Sequence, residues 1–386
     1  MMTKAIRIVV ALLFAAASPV WGQTQGVTDN EIVLGTHLDL SGPMTFWSIP
    51  QRNAYAMLFE EINAAGGIHG RKLRFIIEDN GLDPKKGVLA TQKLIQQDKV
   101  FALLGVMGTP VVLASRPIVI EAGIPFMFPG ASSRLFWEPK PNRLTFSVGA
   151  PFDEQTRASV RYFAGKKKRL AVIYQDDDYG KDIRDAVLAQ AKPSGMEVVA
   201  EASYKRGDTT FSSQVARVRQ GNPDLVVLGT IIRETVGIAA EAKKVGWNVD
   251  FLVATSACNQ AVPDLGKEAT EGLYVMCQFV PFDYDNESPA VKAWMDAYQK
   301  RFGVKADMAA AMANDVFQLM MIGLERAGRN LTVDSFIRGV ESIKNWQDIF
   351  GSPPQTFGPD QRVGTRTNVI TQIQGGKFKR LTGPLN

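Results

Sequence analysis

The chain has 386 residues, enough for two domains of ordinary size, and its 45% hydrophobic and 22% charged residues are typical of globular protein. Its net charge of +5, from 44 basic and 39 acidic residues, is small for this length and spread out. The densest basic run, Lys166-Lys167-Lys168-Arg169, precedes the apolar stretch 170–174 without interleaved aromatics, so it reads as a solvated loop before a strand, and no nucleic-acid partner is expected.

At the N-terminus, Lys4 and Arg7 lead into an unbroken apolar run over residues 8–17, and small residues follow up to Gly22. This layout predicts a secretory signal over residues 1–22, cleaved after Gly22 or after Ala17, and therefore a periplasmic protein. The run is too short to cross a bilayer as a helix, which needs about 20 residues. No cysteine stands near the signal, which argues against a lipid-modified N-terminus. Export would permit a disulfide between Cys258 and Cys277, but spacing does not decide whether they pair.

From Val27 onward, short apolar runs alternate with helical patterns. Residues 32–38 read as a strand, 52–65 as a helix stopped by Gly66-Gly67, and 73–78 as a second strand. Asp83-Pro84 opens a helix to about Gln97, with Asp as cap and Pro in the first turn. A strand at 101–104, a helix at 110–121 and a strand at 124–128 follow. After a break at 147–154 the alternation restarts. Strands are expected at 170–174, 197–203, 225–228 and 251–254, with helices at 181–191, 211–220 and 234–245. A second break at 280–289, rich in Pro and acidic residues, leads to helices 289–302 and 306–327 and a last strand at 368–374. The pattern predicts an α/β protein with two Rossmann-like lobes and parallel-rich sheets. In such sheets ligands bind beyond the carboxyl ends of the strands, so two facing lobes would form a cleft there.

Four loops fall at those ends. In Leu104-Gly105-Val106-Met107-Gly108-Thr109-Pro110, glycines allow close backbone approach, Thr109 suits a helix cap, and the N–H groups of the helix start suit a carboxylate. In Pro129-Gly130-Ala131-Ser132-Ser133, the Gly130 carbonyl and the Ser132 hydroxyl offer an acceptor and a donor, and the small residues leave space. Trp47 follows the first strand, and Tyr179 follows strand 170–174 in Asp176-Asp177-Asp178-Tyr179-Gly180; both are expected as walls of the cleft. The acidic triplet lacks the remaining ligands of a calcium loop and reads as a helix cap.

Enzyme signatures are missing. The two histidines, His37 and His69, sit in no metal-ligand or nucleophile pattern, and no phosphate-binding or dinucleotide glycine loop occurs. His69 reads as a turn residue; His37 ends a strand at the expected cleft and is a candidate ligand contact. No catalysis, metal or cofactor is expected.

Leu40-Ser41-Gly42-Pro43, Glu61-Ile62-Asn63-Ala64-Ala65-Gly66-Gly67-Ile68-His69-Gly70-Arg71-Lys72-Leu73, Asp83-Pro84 and Tyr179-Gly180 occur in this order. Together with the signal, they resemble the leucine/isoleucine/valine-binding protein family of periplasmic solute receptors, of type I fold, from about Val27 to the C-terminus. The resemblance implies a monomeric Venus flytrap that delivers a small molecule to the permease of an ABC transporter. It further implies lobes joined by a three-strand hinge, the first of residues 27–150 and 281–363 and the second of 151–280 and 364–386. On the same ground, the Gly108–Thr109 loop would hold a ligand carboxylate through hydroxyl and backbone N–H, and Gly130 and Ser132 would help hold ammonium and carboxylate. Tyr179 would close over the ligand from the second lobe and Trp47 from the first.

Two positions depart from the family pattern. Amino-acid binders carry an acidic residue where this chain has Thr255-Ser256, and a second tyrosine where it has Ile231. An ammonium buried without a charged partner would cost several kcal/mol. The expected ligand is therefore a carboxylate without an amino group, aromatic or branched aliphatic, or a neutral amide. A ligand-sensing receptor subunit of the same fold is the alternative function.

Overall fold

A computed structural model describes residues 24–278 and 287–386. The signal expected over residues 1–22 lies outside the described residues, as does most of the break at 280–289.

The first half alternates strand and helix as far as its fourth strand. Strand β1 (Glu31–Leu38) is followed by helix α1 (Thr45–Ala64), β2 (Lys72–Asp79), α2 (Pro84–Gln96), β3 (Ala102–Leu104), α3 (Thr109–Glu121), β4 (Phe126–Met127) and β5 (Thr145–Phe146). These strands form one parallel sheet in the order β2-β1-β3-β4-β5. The second half repeats the plan with α4 (Phe152–Tyr162), β6 (Arg169–Gln175), α5 (Asp178–Ala191), β7 (Glu197–Tyr204), α6 (Ser212–Gln220) and β8 (Leu225–Gly229). It continues with α7 (Ile232–Lys244), β9 (Asp250–Val253), the short α8 (Ala261–Gly266) and β10 (Tyr274–Cys277). Helices α9 (Pro289–Phe302), α10 (Met308–Ala327) and α11 (Val333–Glu341) come next, and α10 packs on α1 of the first half. Finally β11 (Val369–Gln374) and β12 (Lys377–Arg380) join the second sheet, in the order β12-β11-β10-β9-β8-β6-β7. Strands β7, β6, β8, β9 and β10 are parallel there, and β11 and β12 are antiparallel additions. The core of both sheets is apolar on both faces, as parallel strands covered by helices require: Leu34, Leu103, Phe126, Val172, Val227 and Leu252 are all fully buried.

Strands β5 and β10 and helices α8 and α11 were not foreseen, and three further features differ from the expectation. Helix α4 is amphipathic and begins directly behind Pro151, inside the segment expected to be a break. Strand β12 adds a hairpin to the single terminal strand expected. Helix α1 starts at Thr45 and not at residue 52, because Pro50 lies inside it without ending it. A proline cannot donate to the carbonyl one turn back, which here belongs to Phe46. That carbonyl instead accepts from the Asn259 side chain of the other sheet's loops, at 3.4 Å.

Helix α10 is buried along most of its length and carries a carboxyl into the core. Asp315 accepts from the Ser352 hydroxyl at 3.3 Å, while Asp348 accepts from the backbone of Phe350 and Ser352, each at 2.9 Å. Burial, with the Asp348 carboxylate beside it, raises the Asp315 carboxyl well above the usual carboxylate range. The folded chain therefore keeps a proton there that the unfolded chain releases near its ordinary value of about 4, so stability falls as pH rises above that value. Asp315→Asn should raise the melting temperature by about 2–4 °C at pH 8 and by less at pH 5, measured by scanning calorimetry.

Candidate functional site

The carboxyl ends of the two sheets face a common cleft of about 920 Å³, mouth included. From the first sheet it is lined by Met44 and Trp47 after β1, Met107–Pro110 after β3, and Phe128–Ser132 after β4. From the second come Gln175, Asp177 and Tyr179 after β6, Ile231 after β8, and Thr255, Ser256 and Cys258 after β9. Ser147, Val148, Phe152 and Gln278 line it where the chain passes between the sheets, and Met308, Met312 and Val316 come from α10. Eight of the nine residues anticipated from sequence therefore share one cavity: Gly108, Thr109, Gly130, Ser132, Trp47, Tyr179, Ile231 and Thr255.

The ninth, His37, does not line it. The ring is fully buried beneath β1, where Nε2 lies 2.9 Å from Thr91 Oγ1 and Nδ1 lies 3.1 Å from Asn80 Nδ2. Asn80 Oδ1 accepts from Leu82 N, which fixes that amide's orientation; Nδ2 must then donate to His37 Nδ1, leaving the proton on Nε2 to reach Thr91. Burial lowers the imidazole pKa to about 3. A strand's last residues point alternately to either face, and here the face under helix α2 claims this side chain.

Thr109 opens α3 behind Gly108, whose φ of 103° only glycine adopts readily. The Val112 N–H reaches back to the Gly108 carbonyl at 2.8 Å; the donors ahead of it belong to the helix start, which lacks intrahelical acceptors. The Thr109 hydroxyl has no partner among the described residues. The Gly130 carbonyl accepts from Gly108 N at 3.3 Å, tying the two loops together, and the Ser132 hydroxyl accepts from Gln278 at 3.3 Å. The space beside the two glycines is occupied by protein. A Cβ on Gly108 would lie 2.3 Å from Leu82 Cδ1, and one on Gly130 would lie 2.7 Å from the Met107 sulfur. The small residues thus admit Leu82 and Met107 to the cavity wall.

Opposite, Ser256 collects the aromatic walls. Its carbonyl accepts from the Trp47 indole at 2.9 Å, and its hydroxyl bonds the Tyr179 hydroxyl and donates to the Thr230 carbonyl at 2.8 Å. Burial pushes the Tyr179 phenol up, so it stays neutral. Tyr179 and Phe152 meet edge to face at 5.2 Å. The loop bearing Ser256 is stapled to the end of β10 by a disulfide between Cys258 and Cys277, whose Cα atoms are 5.5 Å apart. Asp177, the one carboxylate among the described lining residues, caps α5 and pairs with Arg206 at 2.9 Å. Arg206 also donates to the Leu82 carbonyl across the cleft. A second bridge lies at the rim, where Asp182 of α5 accepts from the Arg134 backbone and guanidinium, each at 2.9 Å. Desolvation outweighs these donors and raises the Asp182 carboxyl to about 6.

The lining residues missed from sequence are mainly Met44, Leu82, Met107, Phe128 and the α10 trio Met308, Met312 and Val316. The trio recurs every fourth residue and so shares one helix face, but nothing in that spacing distinguishes a ligand wall from core.

The family profile described as periplasmic binding protein matches residues 31–377. The chain belongs to that family. An amino acid binding protein of Pseudomonas aeruginosa is 27% identical over 62% of this chain and 64% of its own length. A Leu/Ile/Val-binding protein of Rhizobium johnstonii is 24% identical over 90% of this chain and 93% of its own. In three dimensions, the fatty acid ABC transporter substrate-binding protein of Thermomonospora curvata superposes with a TM-score of 0.84 at 24% identity, covering 94% of each chain. This chain is thus a solute-binding protein, of a family that binds and does not catalyse. Among the described residues no group of side chains has the makings of a metal site, and no helix is long and apolar enough to cross a membrane.

His37 gives a test of the corrected site. The unfolded chain takes up its imidazole proton near about 6.5 and the folded chain only near 3, so stability falls as pH drops through that window, by up to about 5 kcal/mol. His37→Gln should flatten acid unfolding between pH 6.5 and 4, followed by circular dichroism, and leave solute affinity at pH 7 unchanged.

Proposed function

We propose that this binding protein is exported, acts as a monomer in the periplasm, and closes its two lobes on a small carboxylate that lacks an amino group, passing it to the permease of an ABC transporter. In this reading the first lobe comprises residues 27–150 and 281–363 and the second 151–280 and 364–386, with the hinge where the chain passes between the sheets. Residues 147 and 363, which pair in parallel, belong to that hinge. The observation that carries the ligand assignment is the pairing of a free donor set with a missing acceptor. The start of α3 presents the Thr109 hydroxyl and backbone N–H at the cavity wall, a setting that favours negative charge. Among the described residues no lining carboxylate is free for an ammonium, because Asp177 is held by Arg206, and Ser256 spends its hydroxyl on Tyr179 and Thr230.

Relatives are named for amino acids, and one structural neighbour is named for fatty acids, which are carboxylates without an ammonium. The lining of this cleft fits the second chemistry better. An ammonium placed here would lose its hydration without a charged partner, at a cost of several kcal/mol.

Titration calorimetry with leucine and its des-amino analogue 4-methylpentanoate tests the assignment: the analogue should bind more tightly, and tight leucine binding alone would end it. Thr109→Ala should weaken carboxylate binding by about 1–3 kcal/mol, the range for a hydrogen bond to a charged group. Unchanged affinity in that variant would remove the anchoring role from the α3 start.

A further inference from the structure

The α3 start accounts for one end of the cleft; the thioethers account for another part of it. Met44, Met107, Met308 and Met312 all line the cavity, drawn from two loops and one helix. Met107 lies over Gly130, next to the loop that leads into α3, while Met308 and Met312 stand one turn apart on α10. Met308 is the first residue of that helix, fixed in place because the Asp307 side chain caps it by accepting from Ala310 N at 3.1 Å.

We propose that this methionine-lined part of the cleft receives an aromatic ring, so that the solute is an arylalkyl monocarboxylate. The inference rests on the carboxylate reading above and narrows it. Methionine sulfur is polarisable and attracts the edges and faces of aromatic rings, each contact adding to plain burial, whereas an aliphatic chain gains burial alone. The perpendicular Phe152–Tyr179 pair adds a corner of ring faces and edges on the same cavity. Both phenol and indole groups in the wall have their polar ends bound to Ser256, so they offer the ligand ring surface and not hydrogen bonds. A flat ring also loses few rotamers on binding, unlike an alkyl chain of equal size.

The full chain, titrated calorimetrically with 3-phenylpropanoate, 4-methylpentanoate, octanoate and leucine, tests this. The aryl acid should bind at least about tenfold more tightly than either aliphatic acid. Met308→Leu/Met312→Leu, which conserves volume, should cut that preference about 3–10-fold. Aliphatic acids that match the aryl acid overturn the ring assignment and leave the carboxylate reading intact. An unchanged preference in the double variant removes the methionines from it. Leucine binding without any of the acids, or no binding of any of the four, overturns both.

Discussion

Ser256 joins the two halves of the site. Its carbonyl receives the Trp47 indole from the first sheet's loops, and its hydroxyl stands between the Tyr179 hydroxyl and the Thr230 carbonyl of the second. Buried aromatic side chains with polar tips must place those tips on partners, and one residue here takes both. The consequence is an orientation: with indole N–H and phenol O–H turned toward Ser256, the ring surfaces are what remain for the cavity. The loop carrying Ser256 needs rigidity for this, and the Cys258–Cys277 disulfide with the Ser256–Thr230 bond supplies it.

The same economy of polar groups holds across the cleft. Gly130 and Gly108 bond each other's backbone, Ser132 is engaged by Gln278, and Asp177 is engaged by Arg206. Thr109, at the start of α3, is left facing the cavity without a partner among the described residues. The α3 start is the part of the lining that favours an anion, while Leu82, Phe128 and the methionines make much of the wall apolar. An amphiphilic solute with one acidic end matches such a division; a zwitterion does not.

The periodic parts of the fold were legible in the sequence. Strand and helix alternation marked both sheets, and capping residues such as Asp83 and Gly66 marked element ends, because local chemistry decides those features. Residues at the carboxyl ends of strands could likewise be named as site candidates from topology alone. Tertiary context decided the rest. His37 has the right place in the chain but the wrong face, a parity that the sequence leaves open at a strand's end. The helix expected from residue 52 begins at Thr45 and passes through Pro50, since the carbonyl that the proline leaves free finds Asn259 some 200 residues away. Helix α4 was hidden by Gly149 and Pro151, whose turn signals belong to the segment before it. The α10 wall reads as core in any single sequence, because a helix face that packs against protein and one that packs against a ligand use the same apolar spacing.

The proposed closure would have a physical basis independent of the ligand. The Trp47–Ser256, Asn259–Phe46, Arg206–Leu82 and Arg134–Asp182 contacts all run between protein groups of opposite lobes. They contribute to the closed form whatever occupies the cleft, and so they set the baseline of the open–closed equilibrium. A solute adds to it only through contacts it makes better in the closed form than in the open one. The α3 start belongs to a single proposed lobe, so in that scheme it would supply affinity but little bias. The apolar cavity is enclosed by both lobes at once, with Met107 and Met312 on one side and Tyr179 and Ile231 on the other. Its burial is completed only by closure. In the proposed scheme the charged end of the solute would thus be suited to capture, and the apolar end would be the part whose fit draws the lobes together.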